Sequence, residues 1–302
     1  MHKKSINSYS INTFSETIKR LFEAKDLQTS NFIRFFFFII VVLVFSNLCL
    51  SQNKSKIYFD KGIEKFRDND YNGAMQDFTK AIEINPNYGL AYYNRGLSKN
   101  RLSDHKGAMQ DFTKAIELKR NEPDAYYQRG LIKGYLNEFS GAIQDFTEAI
   151  NINRSYTEAY NWRGLVKGQT KNYEGAIEDL NKAITINPLY VEAYKNRALT
   201  NTKISNYTAA IQDYTKAIEI NPNDFYSYTK RGYLKIILSD YRGAIKDFNI
   251  AIEVNLNYAE AYYGRGLIKS TLGDVNGACL DWSRAGELGD NQAYDLIKKY
   301  CN

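Results

Sequence analysis

"AYYNRGLSKNRLSDHKGAMQDFTKAIELKRNEPD", Ala91–Asp124, decides the fold, because the chain keeps rewriting it. Units of the same 34-residue length begin at Ile57, Ala91, Ala125, Ala159, Ala193, Ser227 and Ala261, with no insertion or deletion between them. A period this strict means stacked copies of one supersecondary unit, none of which buries its apolar face alone.

Equivalent positions form columns. Tyr58, Tyr92, Tyr126, Tyr160, Tyr194, Tyr228 and Tyr262 make one, and four residues on stand Gly62, Gly96, Gly130, Gly164, Ala198, Gly232 and Gly266. Glycine inside a helix costs up to about 1 kcal/mol, so its recurrence predicts that another backbone passes close there. Two alanine columns, Ala74 through Ala278 and Ala81 through Ala285, flank a large one: Phe78, Phe112, Phe146, Leu180, Tyr214, Phe248 and Trp282. Large against small at helical spacing predicts two closely pressed helices. The break between them falls at Asp70, Asp104, Glu138, Asn172, Asn206, Asp240 and Asp274, all but Glu138 good amino-terminal caps. Asn85-Pro86, Asn187-Pro188 and Asn221-Pro222 close the second helix. Each unit reads as helix, tight turn, helix, short loop.

These columns resemble the tetratricopeptide repeat, whose pattern is an aromatic, Leu-Gly, a second aromatic, then Ala, Phe, Ala and Pro. The resemblance spans residues 57–294. It implies an all-α, right-handed α-solenoid of seven helix-turn-helix units. Departures are Tyr for the usual Trp, Arg for the Leu before Gly, Lys99, Lys133, Lys167, Lys235 and Lys269 at the second aromatic, and no closing proline at Arg120, Arg154 or Leu256. "DNQAYDLIKKYC" ends the chain as one more amphipathic helix within 290–302, with Ala293, Leu296, Ile297 and Tyr300 on one face; a solenoid needs such a cap over its last unit. The first unit has no comparable cap unless residues 52–56 or the apolar segment before them serve.

The arginine before the glycine recurs as Lys61, Arg95, Arg129, Arg163, Arg197, Arg231 and Arg265. Sixteen residues after each stands Asp77, Asp111, Asp145, Asp179, Asp213, Asp247 or Asp281. Partly buried cations need pairing, so Arg95–Asp111, Arg129–Asp145 and Arg163–Asp179 are expected to form a structural charge ladder, with the lysine column on the same carboxylates. An array of arginines reading an anionic ligand is the alternative.

The resemblance also implies that the first helices line a concave groove for a partner peptide. The two residues after the repeated Tyr would face it: Phe59, Tyr93, Asn94, Tyr127, Gln128, Trp162 and Asn196 are the candidate contacts, with Trp162 the first choice of anchor. The alternative for Phe59, Tyr93 and Tyr127 is plain packing on neighbouring units. Leu97, Leu131, Leu165 and Leu199 stand where the family's pattern for chaperone carboxyl termini has Asn, which argues against that ligand.

Of 302 residues 44% are hydrophobic and only four are proline, which suits an all-α protein. Half of the +6 net charge sits in the basic tail 1–34, leaving no concentrated basic face for nucleic acid. No catalytic triad, phosphate loop, cofactor fingerprint or metal-ligand spacing is present, so neither an enzyme nor a cofactor or metal is expected. His105 replaces an aromatic column member and reads as packing. Cys279 reads as a small buried hydrophobe and Cys301 as a terminal thiol, with a bridge between them the alternative outside the cytoplasm.

"FFFFIIVVLVF", residues 35–45, is the longest apolar run. Its length suits a signal peptide cut at Ser51/Gln52, while the long tail before it suits a retained single-span anchor. Either places the rest outside the cytoplasm, in the periplasm, the envelope or the medium. The expected function is a protein-interaction scaffold binding a partner peptide, either exported or held at the membrane through residues 35–50. A subunit of an envelope complex packing through its convex face is the alternative.

Overall fold

The computed structural model of the chain describes residues 31–118 and 122–301, less the side chains of 31–37, 45 and 47–50. Residues 1–30, most of the basic tail, and the loop at Arg120 lie outside the described residues. Fifteen helices and no strand occur among those described. The helices are α1 (Asn31–Arg67), α2 (Tyr71–Ile84), α3 (Gly89–Arg101), α4 (His105–Leu118), α5 (Pro123–Tyr135), α6 (Phe139–Ile152), α7 (Thr157–Gln169) and α8 (Tyr173–Ile186). They continue with α9 (Val191–Lys203), α10 (Tyr207–Ile220), α11 (Phe225–Ile237), α12 (Tyr241–Val254), α13 (Ala259–Thr271), α14 (Val275–Glu287) and α15 (Asn291–Tyr300). The chain is an all-helical solenoid.

Local chemistry sets each boundary. Asp70, Asp104, Asn172, Asn206, Asp240 and Asp274 each accept the backbone N–H three residues on, at 2.8 to 3.4 Å, capping the second helix of their unit. Glu138 makes no such bond, because its longer side chain does not fit the cap geometry. The missing prolines do not change the loops at Asn153 and Asn255. There the asparagine Oδ1 accepts the N–H two residues on, at 3.0 and 3.1 Å, just as Asn85, Asn187 and Asn221 do. The Asx turn, not the proline, closes the loop.

Helix pairs within a unit pack most closely, and each second helix then packs on the first helix of the next unit. First helices of successive units also touch, α7 with α9 and α11 with α13, whereas second helices do so at most weakly. The stack therefore curves with its first helices inside.

The phenylalanine column lies at the centre: Phe78, Phe112, Phe146 and Phe248 are fully buried. At Gly62, Gly96, Gly130 and Gly232 the nearest neighbour is this ring rather than the backbone expected from the sequence, whereas at Gly164 the Ala176 carbonyl does come within 3.1 Å of a Cβ, beside Leu180. A Cβ on Gly130 would stand 2.9 Å from Phe146 Cε1, with similar approaches at Gly96 and Gly62. Gly130→Val is expected to lower the unfolding free energy by about 1–3 kcal/mol through overpacking, read as a lower urea midpoint at unchanged slope. An unchanged midpoint would show that the ring moves aside freely.

Both ends depart from the repeat. The first helix does not begin at Ile57 but runs unbroken from Asn31 through Ser51 and Gln52. Ser55 is 1% exposed and donates its hydroxyl to the Ala81 carbonyl at 2.9 Å, so residues just before the first unit help to cover it. At the other end α15 lays Ala293, Leu296 and Ile297 against the Trp282 cluster, and the Tyr300 ring lies 5.9 Å from Trp282. Cys279 and Cys301 are joined in a disulfide, which corrects the reading of a buried free thiol and a terminal one. Helix α15 folds back over α14, bringing the two Cα atoms to 5.7 Å, a separation a bridge requires. Cys301→Ser is expected to destabilise this end by about 3 kcal/mol, given the short closed loop, seen as faster amide exchange in α15. A peptide map of unreduced protein without the Cys279–Cys301 link would contradict the pairing.

Candidate functional site

Two sets of side chains compete for the role of site. The arginine column is the first. Arg129 donates from Nε and Nη2 to the two oxygens of Asp145, at 2.9 and 2.7 Å, in a bidentate fork. Its Nη1 reaches Thr113 on the second helix of the preceding unit at 2.9 Å, and its guanidinium lies 5.7 Å from the Tyr126 ring centroid. Lys133 closes the carboxylate at 2.8 Å. Arg95 with Asp111, Thr79 and Lys99 repeats the arrangement, as does Arg163 with Asp179, Thr147 and Lys167. Each arginine thus ties together three helices from two units, which fixes the register of the stack. With all three guanidinium nitrogens engaged and the carboxylate 2% exposed at Asp145, this column faces inward and offers nothing to a ligand.

Two rungs differ from the sequence expectation. At the first, Asp77 pairs with Lys65 at 2.5 Å rather than with Lys61, whose ammonium lies over the Tyr58 ring at 5.8 Å. A lysine lacks the fork that would span carboxylate and neighbour, which leaves the carboxylate to Lys65, the equivalent of Lys99. At the fifth, Asn201 replaces the lysine and donates to Asp213 at 3.3 Å. Sequence reasoning missed the third partner, Thr79, Thr113, Thr147, Asn181, Thr215 and Asn249. Its signal was an uninterrupted column of hydroxyls and amides sixteen residues before each arginine.

The second set lies on the first helices, inside the curve. Phe59, Tyr93 and Tyr127 are half-buried, each with one edge on the core: Phe59 is 5.6 Å from Phe78, Tyr93 5.7 Å from Phe112 and Tyr127 5.9 Å from Phe146. Tyr127 also meets Tyr156 at 5.0 Å. Burial pushes the Tyr127 phenol far above its ordinary range, with Tyr190 and Glu158 adding to the shift, and the Trp162 indole sits beside it. Trp162 is 37% exposed, while the other tryptophan, Trp282, is buried. Asn94 donates to the Leu90 carbonyl of its own helix at 2.8 Å, whereas Asn196 on α9 donates to the Asn161 amide oxygen on α7 at 2.8 Å and so ties the first helices of two successive units; Gln128 is half-buried. His105 Nδ1 sits 2.9 Å from Asn100 Oδ1, and its ring lies against Tyr135. Among the described residues no cluster of three His, Cys, Asp or Glu is placed to hold a metal ion.

Stacked helix pairs locked by a buried charge ladder, with an aromatic inner face, define a helical-repeat solenoid of the kind that presents surface rather than chemistry. Tetratricopeptide repeat profiles match residues 53–88, 90–122, 123–156 and 157–188, and again 191–224 and 213–246. The chain belongs to the tetratricopeptide repeat family. No curated protein matches it. A tetratricopeptide repeat protein from Parabacteroides merdae is 22% identical, covers 83% of this chain and 100% of its own, and superposes with a TM-score of 0.63. The C-terminal part of a TPR repeat-containing protein from Cytophaga hutchinsonii is 18% identical over 79% of this chain and 99% of its own, with a TM-score of 0.65. YrrB, described as a TPR protein with an unusual peptide-binding site, is 21% identical over 62% of this chain and 97% of its own, with a TM-score of 0.52. At these identities the likeness is one of fold. The repeats and their neighbours support a protein-interaction scaffold.

Proposed function

We propose that the protein binds a segment of another protein on the inner face of the stack, around Tyr127 and Trp162, and that it does so outside the cytoplasm. Trp162 carries the reading: a large ring left exposed on a face whose neighbouring rings are anchored in the core is a preorganised contact with little entropy to lose. Binding by shape needs no reacting group.

Export is supported by the apolar run at 35–45 and by the Cys279–Cys301 bridge, a bond that persists in oxidising compartments. Among the described residues no helix is long and apolar enough to cross a membrane. Mass spectrometry of the mature amino terminus separates the two routes: a start at Gln52 marks a released protein, an intact tail an anchored one. Full-length chain confined to the cytoplasm would overturn export.

The binding face is tested with a photo-crosslinking residue placed at Trp162 in the full chain, in its own cell, against the same residue at Lys182, exposed on second helix α8. Crosslinks to a partner are expected from position 162 only. Crosslinks from position 182 alone would move the interface to the outer face.

A further inference from the structure

The inner face carries a second column that the function above does not use. Two residues before the repeated tyrosine stand Asp124 on α5, Glu158 on α7 and Glu192 on α9, all exposed and one unit apart. Among the described residues no cation lies within ion-pairing distance of these three. Three other carboxylates of this face are matched: Asp60 by Lys56 at 2.5 Å, Asp224 by Lys195 at 3.3 Å and Glu260 by Lys230 at 2.5 Å.

The matched end shows what the unmatched middle is shaped to take. Lys195 and Lys230 place their ammonium groups 5.0 and 5.1 Å from the Tyr226 ring while pairing with Asp224 and Glu260. A ring beside a carboxylate is a seat for a cation, and here the chain fills it with its own lysines. The position of Lys230 is held by Asn94, Gln128 and Trp162 in the units that face Asp124, Glu158 and Glu192, and none of these brings a charge. The rings remain. Tyr156 donates its hydroxyl to Asp124 at 2.7 Å and stacks near Tyr127 at 5.0 Å. Tyr93 lines one pocket with Asp124 and Glu122, and burial with these two acids pushes its phenol up to about 12; burial, Glu192 and Glu158 do the same for Tyr190.

We infer that the inner face of units two to five binds a lysine- or arginine-rich segment of another protein, whose cations occupy the ring-and-carboxylate seats at Asp124, Glu158 and Glu192. An acidic segment would bring like charges onto unmatched carboxylates, so charge complementarity selects the basic one. The inference rests on the interaction reading above and gives its partner a chemistry.

Fluorescence anisotropy with a labelled peptide of alternating lysine and serine, and its glutamate–serine counterpart, tests it on the full chain. The lysine peptide is expected to bind, to weaken as salt rises, and to lose affinity by about tenfold in the triple variant Asp124→Asn, Glu158→Gln, Glu192→Gln. Because these carboxylates are exposed, the variant should melt with the parent protein. Equal binding of the glutamate peptide, or unchanged affinity in the triple variant, would overturn the inference. If neither peptide binds while a crosslinker at position 162 still captures a partner, the basic segment falls and the interaction face stands; if position 162 captures nothing either, both fall.

Discussion

Asp145→Ala is expected to destabilise its unit by about 3–5 kcal/mol, the largest effect of any single substitution considered. The carboxylate is 2% exposed and accepts from Arg129 twice and from Lys133 once. Without it, two cations one helical turn apart face each other, partly withdrawn from water, and the tie through Thr113 to the preceding unit loses its fixed end. Hydrogen exchange in residues 123–152 and a urea titration both read the loss. Asp124→Asn, on an exposed carboxylate, is the control and should stay within about 0.5 kcal/mol of the parent. Equal effects from the two would mean that the ladder contributes no more than surface charges do.

Trp162→Ala has the largest expected effect on binding. Exposed aromatic anchors at the centre of an interface commonly contribute at least about 2 kcal/mol, so affinity for the partner should fall by roughly thirtyfold. Stability should hardly change, since the indole is 37% exposed and lies outside the buried core clusters. Tyr127→Ala is the less clean test, because its ring also lies 5.9 Å from Phe146 and its loss would loosen the unit.

Most of the fold was legible because the chain states it repeatedly. A single Asp111 sixteen residues after a single Arg95 says nothing; the same spacing in every unit says that the two helices meet there. The caps were legible for the same reason, down to Glu138 as the exception. What repetition cannot show lies where the repeat stops. The run of α1 through Ser51 and the Cys279–Cys301 bridge each occur once, and both depend on how an end folds back.

Columns also misled about causes. A small residue announces a close neighbour but not its identity, so the ring of Phe146 opposite Gly130 was read as backbone. On the inner face the residues after the tyrosine were noticed because they vary. Asp124, Glu158 and Glu192 were passed over because exposed acids on a helix look like a solvated face; the Tyr156 hydroxyl on Asp124 and the matched lysines at Tyr226 set the column apart.

The most direct test of an inner-face scaffold is the dissociation constant of the crosslinked partner, once purified, for the parent chain, Trp162→Ala and Lys182→Ala. The account predicts a loss of roughly thirtyfold for Trp162→Ala and no change for Lys182→Ala. Full affinity in Trp162→Ala with a loss in Lys182→Ala would contradict it and assign binding to the outer face.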